Sequence, residues 1–188
     1  MVTTEEWIWI LIIIYAIFLR YWIRKKVPIS RIIFSTTMYV YLACVAGYTI
    51  LPVRIDPGLT EGGNWYLGIN FIPFASIYDT YVNTVYMGMN IRIGISQIVG
   101  NIIMFIPLGC LYPLCSKYHV TWKRMLCTAF VLSLSIEFCQ LLQNIFYQAA
   151  YRSADVDDLI WNTTGGLIGY ALFLLCKPIF QKLKVYHF

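Results

Sequence analysis

Met125 through Phe146 read MLCTAFVLSLSIEFCQLLQNIF, a mostly apolar stretch in which Glu137 is the single charged side chain. A helix that crosses a membrane needs about 20 residues of this character. At helical spacing Ser133, Glu137, Gln140 and Asn144 fall at i, i+4, i+7 and i+11, so they share one stripe that points away from lipid. Glu137 lies 13 residues beyond Arg124, roughly 20 Å along a helix. A charged side chain at the bilayer centre costs about 2.5–3.5 kcal/mol. Such a carboxylate must face a bundle, find donors or take a proton. The stretch therefore predicts a helical span with a buried acid on its inner face.

Four more apolar segments flank it, giving spans at 7–22, 32–51, 94–115, 125–146 and 159–180. Of the 188 residues, 60% are apolar and 12% charged, where soluble domains have about 45–50% and ~25%. That composition excludes a disordered chain, a basic nucleic-acid binder and a disulfide scaffold. A soluble domain of this length has too little interior to hide so much apolar surface. The expected fold is an all-α integral membrane protein: one polytopic domain over 1–188, a five-helix transmembrane bundle. The six cysteines lie inside apolar stretches and read as small hydrophobes. They form no zinc pattern, so no metal or other cofactor is called for.

Charge sets the orientation. Arg20, Arg24, Lys25, Lys26, Arg31, Lys117, Lys123, Arg124, Lys177, Lys182 and Lys184 fall on one side, eleven of the fourteen basic residues. Basic connections stay cytoplasmic, which puts the N-terminus outside and the C-terminus inside. Eight of the nine acids fall on the outer side. The first segment does not read as a cleavable signal, because Glu5 and Glu6 precede it and basic residues follow it. The long connection between the second and third spans, about 52–93, is then extracellular. Its aromatics, among them Trp65, Tyr66, Phe71, Tyr78 and Tyr86, suit the headgroup level, so part of it is expected on the membrane surface.

Partners for Glu137 are expected at the same depth. Gln97 and Asn101 lie four apart on the third span. Asp155, Asp158 and Asn162 share one face if the fifth helix starts early, and Gly165, Gly166 and Gly169 continue it with room for close helix approach. The acids also suit a helix N-terminus, as a cap and against its dipole. Arg54, Arg92 and Arg152 are the basic residues of the outer side. Arg152 could pair with Glu137 or with an aspartate of its own loop, or the arginines could hold a phosphate or carboxylate of an outer-leaflet ligand. The candidate ligand-binding set is thus Asn101, Glu137, Gln140, Arg152, Asp155, Asp158 and Asn162, with Arg54 and Arg92 at the rim. His119 and His187 fall on the inner side, so serine- or histidine-based catalysis at this site is unsupported. A paired-carboxylate mechanism would use Glu137 with Asp155 or Asp158. Asp155 to Asp158 offer oxygen ligands to a divalent cation but lack EF-hand spacing.

Four motifs in order resemble the VanZ-like family of membrane proteins, named for a teicoplanin-resistance determinant. They are Asn70-Phe71-Ile72-Pro73-Phe74, Asn101 through Gly109 (NIIMFIPLG), Ser133 through Gln140 (SLSIEFCQ), and Arg152 through Asn162 with Gly165, Gly166 and Gly169. Together they cover about 69–170. The resemblance implies a bacterial plasma-membrane protein linked to reduced susceptibility to glycopeptide and lipoglycopeptide antibiotics, and leaves the mechanism open. Expected partners are membrane lipids and an outer-leaflet lipid-linked cell-wall intermediate or a lipoglycopeptide drug. Four readings stand: binding of an outer-leaflet amphiphile, an intramembrane enzyme on a lipid-linked substrate, a lipid-carrier transporter or flippase, and a bundle whose polar groups only hold helices together.

Overall fold

The computed structural model describes residues 4–51 and 64–183. Its elements are α1 (Thr4–Arg24), α2 (Ile29–Thr49), a 3₁₀ turn (Trp65–Gly68), β1 (Ile69–Asn70), α3 (Ala75–Met87), α4 (Arg92–Cys115), α5 (Trp122–Tyr147), β2 (Ala154–Asp155) and α6 (Val156–Lys182). All but α3 among the α-helices are long and apolar enough to cross a membrane. They extend the sequence-derived spans by up to a few residues at most ends, because polar residues such as Arg92, Trp122 and Asp157 continue the helical turns beyond the apolar run.

Apolar stripes and small residues set the packing. α4 and α6 make the broadest contact, and α5 packs on α6. Backbones meet where α6 carries glycine. A Cβ at Gly165 would lie 2.1 Å from the Ile102 carbonyl oxygen, and one at Gly169 would lie 2.0 Å from that of Ile106. From the other side, Gly109 of α4 faces the Gly166 carbonyl. Phe105, Met125, Ala129, Ile136 and Phe173 fill the core around this seam. α1 joins the bundle through α2: the Tyr39 hydroxyl donates to the Leu11 carbonyl at 2.6 Å, and Tyr15 bonds Thr36 at 3.0 Å. Its remaining faces expose Trp9, Ile13 and Ile17, as a lipid-facing helix would.

The connection before α4 departs from the expected long loop. From Asn64 on it folds into a cap of turn, strand and helix. β1 pairs in parallel with β2, Ile69 opposite Ala154 and Asn70 opposite Asp155. The turn and β1 form a strap, residues 65–70, that lies close on the loop before α6: a Cβ at Gly68 would sit 2.5 Å from the Arg152 carbonyl oxygen. α3 then crosses to α4, where a Cβ at Gly94 would strike the Thr80 side chain. The backbone of 69–70 thereby finds its hydrogen-bonding partners in the chain.

Candidate functional site

The cap sits where α2 and α5 end and α4 and α6 begin, and the acids of α6 hold it there. Asp155 is the N-cap of α6, its carboxylate accepting from the Asp157 N–H at 2.8 Å. The same oxygen accepts from the Asn70 side-chain amide at 2.8 Å, which ties the strap to the helix start. Asp157 is fully buried. It accepts from the backbone N–H groups of Phe74 and Ser76, the latter at 2.9 Å, and from the Ser76 hydroxyl. Phe74, at φ 67°, is a non-glycine residue in the left-handed region, and Asp157 fixes it there as the first turn of α3 begins. Asp158 turns to α4 and accepts from the Asn101 amide at 2.5 Å.

Glu137 meets this assembly from α5. Its Oε2 accepts from the Asp155 N–H at 2.9 Å. One turn below, the Asn162 amide donates to the Ser133 hydroxyl at 3.0 Å, both groups buried. At the end of α5, buried Asn144 clasps the Arg152 backbone, donating to its carbonyl and accepting from its N–H, each at 2.7 Å. Gln140 donates to the Thr49 carbonyl at 3.1 Å and Gln143 to that of Ile50 at 2.7 Å. The polar face of α5 thus binds the end of α2 as well as α6.

Arg152 takes a partner other than the carboxylates weighed for it. The Arg152 guanidinium donates to the Leu51 carbonyl at 2.7 Å and lies 5.5 Å from the Tyr151 ring centroid. Among the described residues it pairs with neither Glu137 nor an aspartate, because the Leu51 carbonyl past the end of α2 lies within its reach. Arg92 is exposed at the start of α4, and its described hydrogen bond is from its backbone N–H to Asn90. Arg54 lies outside the described residues, as do Asp56, Glu61 and Lys184 of the charge pattern. Asp155 is the N-cap of α6 rather than a residue of its first turn, and Asp155, Asp158 and Asn162 meet β1, α4 and α5 respectively.

Burial pushes the Asp155 carboxyl above its ordinary value. Hydrogen bonds from Asp157 and Asn70 oppose the shift, and the charges of Asp157 and Asp79 add to it.

Two cavities flank the strap. A polar cleft of about 430 Å³ lies between the strap, α3 and the start of α4, bordered by Asn70, Asp79, Asn83, Gln97, Ser153 and Asp155 among others. An apolar groove of about 180 Å³ lies on the other face, between α5 and α6, lined by Leu134, Glu137, Phe138, Leu141 and Leu159. Ile69, Asn70 and Asp155 border both. A third cavity, about 450 Å³, opens between α2 and α4 beside Tyr41, Val45, Met104 and Asn101.

Asn70, Ser76, Asp79, Asn83 and Asp157 stand outside the set proposed from sequence. Asn70 and Asp157 lie inside the quoted motifs. Asp79 and Asn83, at i and i+4 of α3, lie outside them.

Residues 38–177 match the family described as VanZ/LLP1. Over 89 residues the chain is 36% identical to Protein VanZ of Enterococcus faecium, covering 47% of this chain and 51% of that protein. The match therefore spans about half the length of this curated relative. No solved structure matches the chain.

Proposed function

This chain belongs to the VanZ/LLP1 family and is a multi-pass membrane protein, and from that premise we propose that it lowers susceptibility to glycopeptide and lipoglycopeptide antibiotics by binding an amphiphile. The setting is the outer leaflet of a bacterial plasma membrane, with the N-terminus outside and the C-terminus in the cytoplasm. The observation that carries the reading is the shared wall. Ile69, Asn70 and Asp155 separate a polar cleft from an apolar groove, so a head and a tail can lodge on either side of one strap. The groove flank is suited to a chain arriving from lipid, since Phe138 is 56% exposed and Leu134 48%. Exposed Tyr78, Tyr81 and Tyr86 on α3 fit the headgroup level.

The test is teicoplanin susceptibility in a sensitive bacterial host, read beside the amount of protein in the membrane. The wild-type chain is expected to raise the inhibitory concentration. Leu134→Trp, which fills the groove, and Glu137→Gln are expected to abolish the effect at unchanged protein level. Full resistance in both variants, or no protection by the wild type, overturns the reading.

A second reading draws on the same residues. Glu137 borders the groove, where it could exchange a proton with a bound lipid, either in acid–base catalysis with Asp155 or Asp158 or in a lipid-carrying cycle. Conversion of a labelled lipid in detergent would establish an enzyme. Movement without conversion, in sealed vesicles alone, would establish a transporter. Binding by itself gives neither.

A further inference from the structure

We propose that the polar cleft beneath α3 takes an uncharged, hydroxyl-rich headgroup, the glycosyl head of a glycolipid, in preference to an anionic phosphate or a cationic amine. This rests on the amphiphile reading above and specifies its ligand.

The argument is one of donors and acceptors. Asn70, Ser76, Thr80 and Thr84 already spend their side-chain groups within the chain. Asp79, Asn83, Gln97 and Ser153 border the cleft and make no side-chain hydrogen bond within the described residues. Asn83 and Gln97 each offer a carbonyl acceptor and an amide donor, Ser153 a hydroxyl that does both, and Asp79 acceptors alone. Among the described residues no Lys, Arg or His lines the cleft.

A phosphate only accepts. It would face Asp79 and Asp155 with no cation among the described lining residues to balance them. An ammonium only donates, so it would satisfy Asp79 while leaving the amide donors of Asn83 and Gln97 without an acceptor. A hydroxyl donates and accepts at once, and neighbouring hydroxyls on a ring match a mixed array of amide, hydroxyl and carboxylate. The cleft, at about 430 Å³, falls within the ~300–1,000 Å³ of small-molecule sites. An apolar chain attached to that head has the groove of Leu134, Phe138 and Leu141 across the strap.

The experiment places the full chain in phosphatidylcholine nanodiscs. It measures retention of three lipids with identical dioleoyl tails: monoglucosyl diacylglycerol, phosphatidic acid and a primary-ammonium lipid. The glucosyl lipid is expected to be held about tenfold or more above the other two. Asn83→Ala and Gln97→Ala, each removing side-chain groups that bond no other described residue, are expected to lower its retention about fivefold to tenfold apiece. Asp79→Asn should cost less, since an amide still serves a hydroxyl. Equal retention of all three lipids, or preference for either charged one, overturns the headgroup assignment while leaving amphiphile binding intact. Retention of none overturns both. Unchanged glucosyl-lipid binding in well-folded Asn83→Ala and Gln97→Ala moves the head out of this cleft.

Discussion

Asp157→Asn tests how the cap is held. The carboxylate is fully buried and accepts from Phe74 N–H, Ser76 N–H and the Ser76 hydroxyl. A hydrogen bond to a charged group contributes about 1.5–3 kcal/mol, and one between neutral groups about 1 kcal/mol. In its better rotamer the asparagine keeps its oxygen toward Ser76. Two bonds are then weakened, and the third becomes a clash of donors between the new amide and Phe74 N–H. The loss comes to about 3–5 kcal/mol. Release of Phe74 from φ 67° adds to the tendency to open, since the left-handed region costs a residue with a Cβ about 1–2 kcal/mol. Hydrogen exchange read by mass spectrometry resolves the outcome. Amides of α3 should exchange faster by a factor on the order of 100 or more, while those of α4, α5 and the lower half of α6 keep their rates, because the core seam lies below the substitution. Unchanged protection over 75–87 would refute the reasoning. So would equal loss throughout the chain, which would make Asp157 a determinant of the whole bundle rather than of the cap.

Three further outcomes follow from the same geometry. Gly169→Ala places a methyl 2.0 Å from the Ile106 carbonyl oxygen, so α4 and α6 must separate and thermal stability in detergent should fall by about 1–3 kcal/mol or more; Gly100→Ala, with nothing within 4 Å of the new Cβ, should be neutral or stabilising by up to about 1 kcal/mol. Asp155 has a raised folded-state pKa, so its contribution to stability is full below the ordinary aspartate pKa of about 3.9 and is lost as pH rises through the folded value. Thermal melts across that window should show the decline in the wild type and a flatter profile in Asp155→Asn, which keeps an acceptor for the Asp157 N–H. Arg152→Ala should lower stability by about 1.5–3 kcal/mol through the lost bond to Leu51, and Arg152→Lys should restore part of it by chemical denaturation, since a carbonyl asks for a donor rather than a bidentate fork.

Much of the bundle is legible in the sequence because long apolar runs have one stable arrangement in lipid. Gly165 and Gly169 announce the close seam with α4, and an acid inside an apolar run announces that Glu137 needs a donor. The donor itself, a backbone N–H of Asp155, leaves no trace in residue types. For the same reason Arg152 reads as a partner for carboxylates, although it binds a free carbonyl past the end of α2. The cap is the least legible part. Ala75–Met87 is short, and its Thr, Val, Asn and Tyr are indifferent helix formers. Its helix starts where Asp157 captures Phe74 and Ser76, a contact 81 residues away in the chain for Ser76. Asp155, Asp157 and Asp158 look alike as a run of acids. Where α6 begins decides that one caps the helix, one holds the cap and one turns to Asn101.

Photo-crosslinking with lipids that carry a diazirine in the tail tests amphiphile binding most directly, with adducts mapped along the chain in native membranes. Adducts should concentrate on Leu134, Phe138 and Leu141 well above Ile13 and Ile17 of the exposed α1 face, and Leu134→Trp should remove the excess. Adducts spread evenly over all lipid-facing helices, unaffected by filling the groove, would contradict it.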